Sequence, residues 1–217
     1  MTVPKLYYFP GNASLIAHIV LEEIGAPFEL ALVDRAAGAH KSPAYLKLNP
    51  NGSIPVLVDG DLVLYETAAI CLHLADTHPE AHLVPPLGTA ERAHCYKWLA
   101  WASNSLQATL MLYFYPDRMV APGDAQAAAQ LKAQAEARID ALVDQIEAEL
   151  AARGGPWILG ATYSAADPYL LVLCRWTRGF RRPARTLPEV GAYLQRVLAR
   201  PAVRRAIATE KLEPPLV

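Results

Sequence analysis

All strand-like segments of this 217-residue chain precede Glu66, and every segment after His78 has the pattern of a helix. The early part alternates short aromatic or β-branched runs with segments of helical periodicity, which is typical of an α/β unit. Prolines and a glycine interrupt the chain over 79–88 and separate the two patterns. The chain is therefore expected to form two domains of different fold class.

The first part follows the order βαβαββα. Gly25 ends the first helical segment, and the pair Asp59-Gly60 has the residue types of a tight hairpin turn. A parallel crossover followed by a hairpin gives a mixed sheet with helices packed on it. We predict an α/β domain over 1–80, a linker over 81–89 and an all-α helical domain over 90–217.

Charge and composition exclude several classes of protein. The 20 basic and 21 acidic residues nearly cancel, so no electrostatic argument favours nucleic acid or an anionic membrane as a partner. No apolar run approaches the ~20 residues that a membrane-spanning helix needs, and the first residues lack the pattern of a signal peptide. Cys71, Cys95 and Cys174 are widely spaced, so we expect no disulfide, no metal and a cytoplasmic location.

An Asn-Pro-Asn-Gly turn over 49–52 leads to the bond between Ile54 and Pro55 and then into an apolar strand. A cis peptide bond before Pro55 would reverse the chain tightly and leave the backbone groups of Ile54 facing outward. A bound peptide could then pair with Ile54 as an additional strand. An ordinary trans proline at the start of an edge strand is the alternative interpretation.

Two polar pairs flank this turn in the sequence. Thr67 is a candidate N-cap whose helix could receive a carboxylate, and Glu66 beside it could pair with an ammonium group. His40 and Lys41 lie in a polar loop and could hold a second carboxylate. A plain helix cap and solvated loop side chains are the alternatives.

The turn over 10–14 joins the first strand to the first helix, where the helix dipole could stabilise an anion such as a thiolate. Three side chains near it could donate a hydrogen bond to that anion: Ser14, Asn12 and Tyr8. Each has a structural alternative, because Ser14 could be only an N-cap, Asn12 only a turn former and Tyr8 only a core residue of the strand.

Two further groups of side chains stand out in the helical part. An arginine-rich segment near the C-terminus is interpreted as a solvated face, with an anion site as the alternative; its members are Arg175, Arg178, Arg181, Arg182 and Arg185. An aromatic group is expected in the core, at an interface or in the lining of an apolar pocket; its members are Trp98, Trp101, Tyr113, Phe114 and Tyr115.

Taken in order, these segments resemble the cytosolic glutathione transferases over nearly the whole chain. The similarity lies in the runs 6–11, 21–25, 40–43, 49–55 and 65–70, together with a capping box over 164–167. The resemblance implies a thioredoxin-like N-terminal domain that binds glutathione, followed by a helical domain that binds the electrophile. The opening segment looks like bacterial beta-type members, whereas the His40-Lys41 pair is shared with phi-type members.

The resemblance also implies roles for individual residues. Ile54, after a cis bond to Pro55, would pair with the cysteinyl part of glutathione. Glu66 and Thr67 would hold the γ-glutamyl end, and His40 and Lys41 the glycyl carboxylate. Beta-type members carry a cysteine where this chain has Ala13, so the donor to the thiol must be a neighbour. Ser14 is the first choice, followed by Asn12 and then Tyr8.

The function that the resemblance implies is conjugation of the glutathione thiolate to small apolar electrophiles, with hydroperoxide reduction as a further activity. Glutathione would be a co-substrate, no metal would be needed, and the protein would form a homodimer. The alternative is a glutathione-binding interaction protein of the same fold with little or no turnover, because the beta-type cysteine is absent.

Overall fold

The computed structural model describes residues 3–217. Four strands form one sheet in the order β2-β1-β3-β4, and they are β1 (Lys5–Tyr8), β2 (Glu29–Leu32), β3 (Val56–Asp59) and β4 (Leu62–Tyr65). β1 runs parallel to β2, whereas β3 is antiparallel to both of its neighbours. The mixed sheet and its βαβαββα order are confirmed.

Three helices belong to this first domain: α1 (Ser14–Ile24), α2 (Pro43–Leu46) and α3 (Thr67–Thr77). α1 ends at Gly25, which has φ 75° and donates its N–H to the Leu21 carbonyl, as the sequence predicted. The predicted caps need correction. Ala13 holds the cap position before Ser14, and Glu66 holds the one before Thr67.

The rest of the chain is helical, as predicted, and contains α4 (Ala90–Trp101), α5 (Ala108–Phe114), α6 (Ala125–Arg153), α7 (Ala166–Trp176), α8 (Pro188–Leu198) and α9 (Pro201–Thr209). A π-helical segment over Ala102–Gln107 joins α4 to α5. The helix that the sequence predicts over 91–115 therefore changes its winding at the middle. π-Helical segments are rare and occur frequently at functional sites.

The capping box forms at the start of α7. The Asp167 carboxylate accepts hydrogen bonds from the Ser164 N–H at 2.7 Å, the Ile158 N–H at 3.1 Å and the Tyr193 hydroxyl at 2.9 Å. Asp167 is fully buried, and so is nearly all of α7. This helix is the centre of the second domain.

The two domains share one apolar core. α1 packs against α3, α7 and α9, and one large cluster contains buried residues from both domains. Val33, Tyr45 and Val56 form a second, smaller cluster within the first domain. No helix within residues 3–217 is long and apolar enough to cross a membrane.

Candidate active site between the domains

A cavity of about 800 Å³ lies between the end of the sheet and the helical domain. The first domain lines it with the loop 9–13, with the turn that ends at Pro55, and with Glu66 and Thr67. The second domain contributes aromatic, polar and basic side chains, which include Gln107, Met111, Tyr113, Phe114, Tyr115, Arg175, Trp176, Arg178 and Phe180. Side chains of contrasting chemistry therefore face each other across one space.

The peptide bond between Ile54 and Pro55 is cis, as the resemblance implied. The turn before it is held from behind, because the Ser53 carbonyl accepts hydrogen bonds from the Tyr45 hydroxyl and the Asn49 side-chain amide, each at 2.9 Å. Ile54 and Pro55 line the cavity. The backbone around Ile54 is thus fixed in position at the cavity wall.

Glu66 and Thr67 also line the cavity, at the start of α3. Glu66 is exposed and has φ 75° and ψ 109°, a conformation that is strained for a residue with a side chain. Thr67 is buried. The first N–H groups of α3 have no partner inside the helix and can receive an anion.

His40 and Lys41 lie beside this site and are not among the described residues that line the cavity. They belong to a short 3-10 turn, where Lys41 Nζ donates to the Asn51 carbonyl at 3.3 Å. Burial, the Lys41 charge and the charges of Arg35 and Arg118 lower the pKa of His40. The pair is next to the turn over 49–53, at the edge of the cavity.

Ser14, the first choice as donor, does not face the cavity. Its side chain is buried, and Oγ both donates to the Phe9 carbonyl and accepts the Phe9 N–H, each at 3.1 Å. The hydroxyl therefore ties the start of α1 to the end of β1. This corrects the preference for Ser14 over Asn12.

Of the other two candidate donors, Tyr8 and Asn12, only Asn12 lines the cavity. Tyr8 packs edge-on to His18, with ring centres 6.3 Å apart, and does not belong to the described cavity lining. Asn12 lines the cavity, and its Oδ1 accepts the Ala13 N–H at 2.8 Å, which leaves the Nδ2 group free to donate. Asn12 is therefore the predicted donor that the structure brings to the cavity.

The loop that carries Asn12 is braced by residues that the sequence analysis missed. Glu210 accepts the Gly11 N–H at 2.8 Å, and the Trp176 indole donates to the Gly11 carbonyl at 3.0 Å. The other Glu210 oxygen lies 2.9 Å from His18 Nδ1. No local signal in the sequence indicates these contacts, because Gly11 and Glu210 are 199 positions apart.

The helical wall combines aromatic and polar groups. The rings of Tyr113 and Phe180 lie 4.0 Å apart, and the Arg35 guanidinium donates to the Tyr115 hydroxyl at 3.2 Å across the mouth. Gln107 Oε1 accepts the Tyr169 hydroxyl at 2.6 Å. The aromatic group of the sequence therefore divides, because Tyr113, Phe114 and Tyr115 line the cavity whereas Trp98 and Trp101 pack in or against the core.

The arginine-rich segment also divides. Arg182 is on the surface and pairs with Asp144, as expected for a solvated face. Arg175, however, is buried and lines the cavity, and Arg178 lines it as well. The interpretation of the segment as a solvated face is therefore wrong for Arg175, whereas Arg178 is exposed although it borders the cavity.

The cysteines are free thiols and all three are buried. Burial raises the pKa of Cys95 to about 11 and that of Cys174 to about 12, so neither supplies a thiolate near neutral pH. Among residues 3–217, no cluster of His, Cys, Asp and Glu could hold a metal ion.

Comparison with known proteins identifies the family of this chain. Residues 2–76 match the family model of the glutathione S-transferase N-terminal domain, and residues 101–201 match that of the C-terminal domain. Glutathione S-transferase GST-4.5 of Xanthomonas campestris is 34% identical over 96% of this chain and 99% of its own length. Glutathione S-transferase GstA of Escherichia coli O157:H7 is 30% identical over 96% of this chain and 100% of its own length.

The fold agrees with these matches. A solved glutathione transferase homologue from Sulfitobacter with bound glutathione has a TM-score of 0.89 and 28% identity, and the alignment covers 98% of this chain and 100% of that one. Both family domains thus occur here in the expected order and architecture. The chain belongs to the glutathione S-transferase family.

Proposed function

We propose that this protein conjugates the glutathione thiolate to small apolar electrophiles in the cavity between its domains. One observation supports this most directly. The predicted glutathione contacts at Ile54, Pro55, Glu66 and Thr67 line the same cavity as the aromatic wall of the second domain. We further propose that the protein acts in the cytoplasm as a homodimer and that it also reduces hydroperoxides.

Glutathione would lie along the wall of the first domain. The backbone of Ile54 would pair with its cysteinyl part, as in strand addition. Glu66 would pair with the γ-glutamyl ammonium group, and the N–H groups at Thr67 would receive the neighbouring carboxylate. His40 and Lys41, at the cavity edge, would hold the glycyl carboxylate.

This pose brings the thiol to the loop over 9–13. A free thiol has a pKa of ~8.5 and is only a few per cent ionised at neutral pH. A hydrogen bond from Asn12 Nδ2, together with the N-terminus of α1, would stabilise the thiolate by about 1–2 kcal/mol. That energy raises the thiolate population about 10-fold near neutral pH.

Asn12→Ala is expected to lower kcat/KM about 10-fold and to move the pH-rate profile about one unit toward higher pH. The direction follows because the donor stabilises the ionised thiol, so that its removal raises the apparent pKa. Conjugation of chlorodinitrobenzene between pH 5 and 9 is the measurement.

Ser14→Ala is the matched control, and its predicted effect is on stability. The variant leaves the Phe9 N–H without its partner, while the Phe9 carbonyl keeps only the Asn12 N–H at 3.2 Å, and the free energy of unfolding falls by about 1–3 kcal/mol. Denaturant titration measures this loss, and the pH-rate profile of the folded variant should keep its wild-type position. A shift in Ser14→Ala and none in Asn12→Ala would reverse the assignment.

The function itself is tested by three measurements on the wild-type protein. They are the affinity for glutathione by calorimetry, the rate of chlorodinitrobenzene conjugation, and the rate of hydroperoxide reduction coupled to glutathione oxidation. We expect binding together with conjugation. Tight glutathione binding with no turnover of any electrophile would contradict the proposal and favour a binding protein of the same fold.

A further inference from the structure

Arg175 has an unusual environment for an arginine. It lies in the last turn of α7 with 6% of its surface exposed, and it lines the cavity. Its buried Nε has no hydrogen-bond partner among residues 3–217. A buried guanidinium nitrogen without a partner is costly, and an anion in the cavity would supply the missing acceptor.

The side chain is directed at the reacting end of the cavity. Its Nη1 lies 3.3 Å from the place that a Cβ on Gly11 would occupy, so the guanidinium packs against the loop that carries Asn12. Arg178 lies one turn further on, lines the same space and donates from Nη1 to the Arg175 carbonyl at 3.1 Å. Burial and the nearby Arg178 charge lower the pKa of Arg175, which still remains ionised at physiological pH.

The cavity as a whole is electropositive. Its described lining contains Arg35, Arg118, Arg175 and Arg178 against the one carboxylate of Glu66. Within residues 3–217, none of these four arginines forms an ion pair with a carboxylate. The Glu210 carboxylate offsets part of the Arg175 charge from a distance, but its oxygens bond to the Gly11 N–H and to His18 and do not pair with the guanidinium. The positive charge is therefore available to a ligand.

Glutathione accounts for only part of this charge, through the thiolate that the proposed pose brings to the loop over 9–13 near Arg175. Its contacts in the proposed pose all come from the first domain, at Ile54, Glu66, Thr67 and the edge near Lys41. Arg175 and Arg178 belong to the helical domain, where Trp176 and Phe180 also line the wall. That wall is where the second substrate would lie.

We propose that the electrophile of this enzyme is an aromatic carboxylate, whose ring lies against the aromatic wall and whose carboxylate binds Arg175 and Arg178. This inference rests on the proposed function and deepens it by naming the substrate class. Arginine suits the role because its planar guanidinium offers two parallel donors to a carboxylate. The apolar electrophile expected from the sequence thus acquires an anionic end.

The reaction with such a substrate balances without a further reagent. In a chloronitroaromatic carboxylate, the glutathione sulfur forms a bond to the carbon that bears chlorine, and the carbon–chlorine bond then breaks. Chloride leaves with the bonding pair, and the thiol proton is released to solvent. The carboxylate takes no part in bond making, so it can serve only for binding and orientation.

The test compares chlorodinitrobenzoate with the uncharged chlorodinitrobenzamide. The quantity of interest is the ratio of kcat/KM for the benzoate to that for the amide, because intrinsic reactivity cancels between variants. We expect Arg175→Met to lower this ratio about 10-fold and Arg178→Met about 3-fold. Arg175→Lys should recover part of the loss. Arg181→Met, an exposed position outside the described lining, makes the same charge change and should leave the ratio as in the wild type.

A binding experiment separates this inference from the proposed function. Calorimetry gives the affinity of the preformed benzoate and amide conjugates of glutathione without any turnover. A selective loss of affinity for the benzoate conjugate in both variants supports the anion subsite. Failure of the wild type to conjugate any electrophile would contradict the proposed function but not this subsite. An unchanged benzoate-to-amide ratio in Arg178→Met and in a folded Arg175→Met would overturn the inference. The inference would also be overturned if the two variants lost as much affinity for free glutathione as for the benzoate conjugate.

Discussion

Replacing Glu66 with glycine is expected to weaken glutathione binding about 10- to 100-fold and, at the same time, to stabilise the protein. The two effects have separate causes. Removal of the carboxylate eliminates the charged hydrogen bonds to the ligand ammonium group, which contribute about 1.5–3 kcal/mol. The backbone of Glu66, at φ 75° and ψ 109°, would be relieved by a residue that tolerates positive φ, which contributes about 1 kcal/mol.

Calorimetric titration with glutathione and denaturant unfolding measure the two effects. Glu66→Gln is the first control, since it keeps the strained backbone and removes the charge, and it should bind weakly without gaining stability. His82→Gly is the second, because His82 is exposed, has φ 51° and is not among the described residues of the cavity lining. That variant should gain stability and bind glutathione as the wild type does. Wild-type affinity in Glu66→Gly would remove Glu66 from the glutathione site.

The opposite signs of these effects have a physical interpretation. A strained backbone persists only where the surrounding structure enforces it, and such residues cluster at functional sites. Here the strain occurs at the residue that turns the chain from β4 into α3. Glycine would suit the backbone of that turn better. We therefore infer that glutamate is present because its carboxylate binds the ligand.

Local sequence signals predicted the fold because they reflect local energetics. Gly25 ends α1 in the left-handed conformation that glycine favours, and β3 and β4 form the predicted hairpin. The turn lies one residue later than predicted, at Gly60 and Asp61, because Asp59 still pairs with Leu62 in the sheet. The capping box forms because Asp167 and Ser164 are close in the chain. Local signals did not predict that the cis bond, Glu66 and Thr67 lie at one cavity. That prediction came from the family resemblance.

The choice between Ser14 and Asn12 could not be made in this way. Both are short polar residues at the start of a helix, and both suit a cap or a turn. The burial of Ser14 depends on its contact with Phe9, and the exposure of Asn12 depends on the loop being held by Glu210 and Trp176. These contacts are tertiary and leave no periodic trace in the sequence.

Arg175 illustrates the same limit in a different form. Basic residues in the last turn of a helix are usually solvated, where they also favour the helix dipole. Whether such a residue is buried depends on what packs over that turn, and here the loop at Gly11 does so from the other end of the chain. The sequence pattern could not distinguish Arg175 from the exposed Arg182.

Asp167→Ala is expected to lower the free energy of unfolding by about 3–5 kcal/mol, the largest effect on stability that we predict. The substitution leaves the buried N–H groups of Ser164 and Ile158 without an acceptor, and the Tyr193 hydroxyl with only the backbone carbonyl of residue 167 at 3.4 Å. Each unsatisfied group costs about 1–3 kcal/mol. Denaturant unfolding at pH 7 measures the loss. Asp124→Ala is the matched control, because Asp124 is also a helix cap but an exposed one, and it should cost only about 1 kcal/mol.

The pH dependence of Asp167→Asn tests the ionisation of the same group. Burial raises the pKa of Asp167 to about 6, although the hydrogen bonds, that from the Ile158 N–H first, act to lower it. An unfolded aspartate carboxyl has a pKa of ~3.9. The folded protein therefore binds more protons than the unfolded chain between these values, so the contribution of Asp167 to stability falls as pH rises through them. Asparagine cannot ionise, and the stability advantage of the wild type over Asp167→Asn should be larger at pH 4 than at pH 7. An advantage that grows from pH 4 to pH 7 would show instead that the hydrogen bonds outweigh burial and that the folded protein holds Asp167 as a carboxylate.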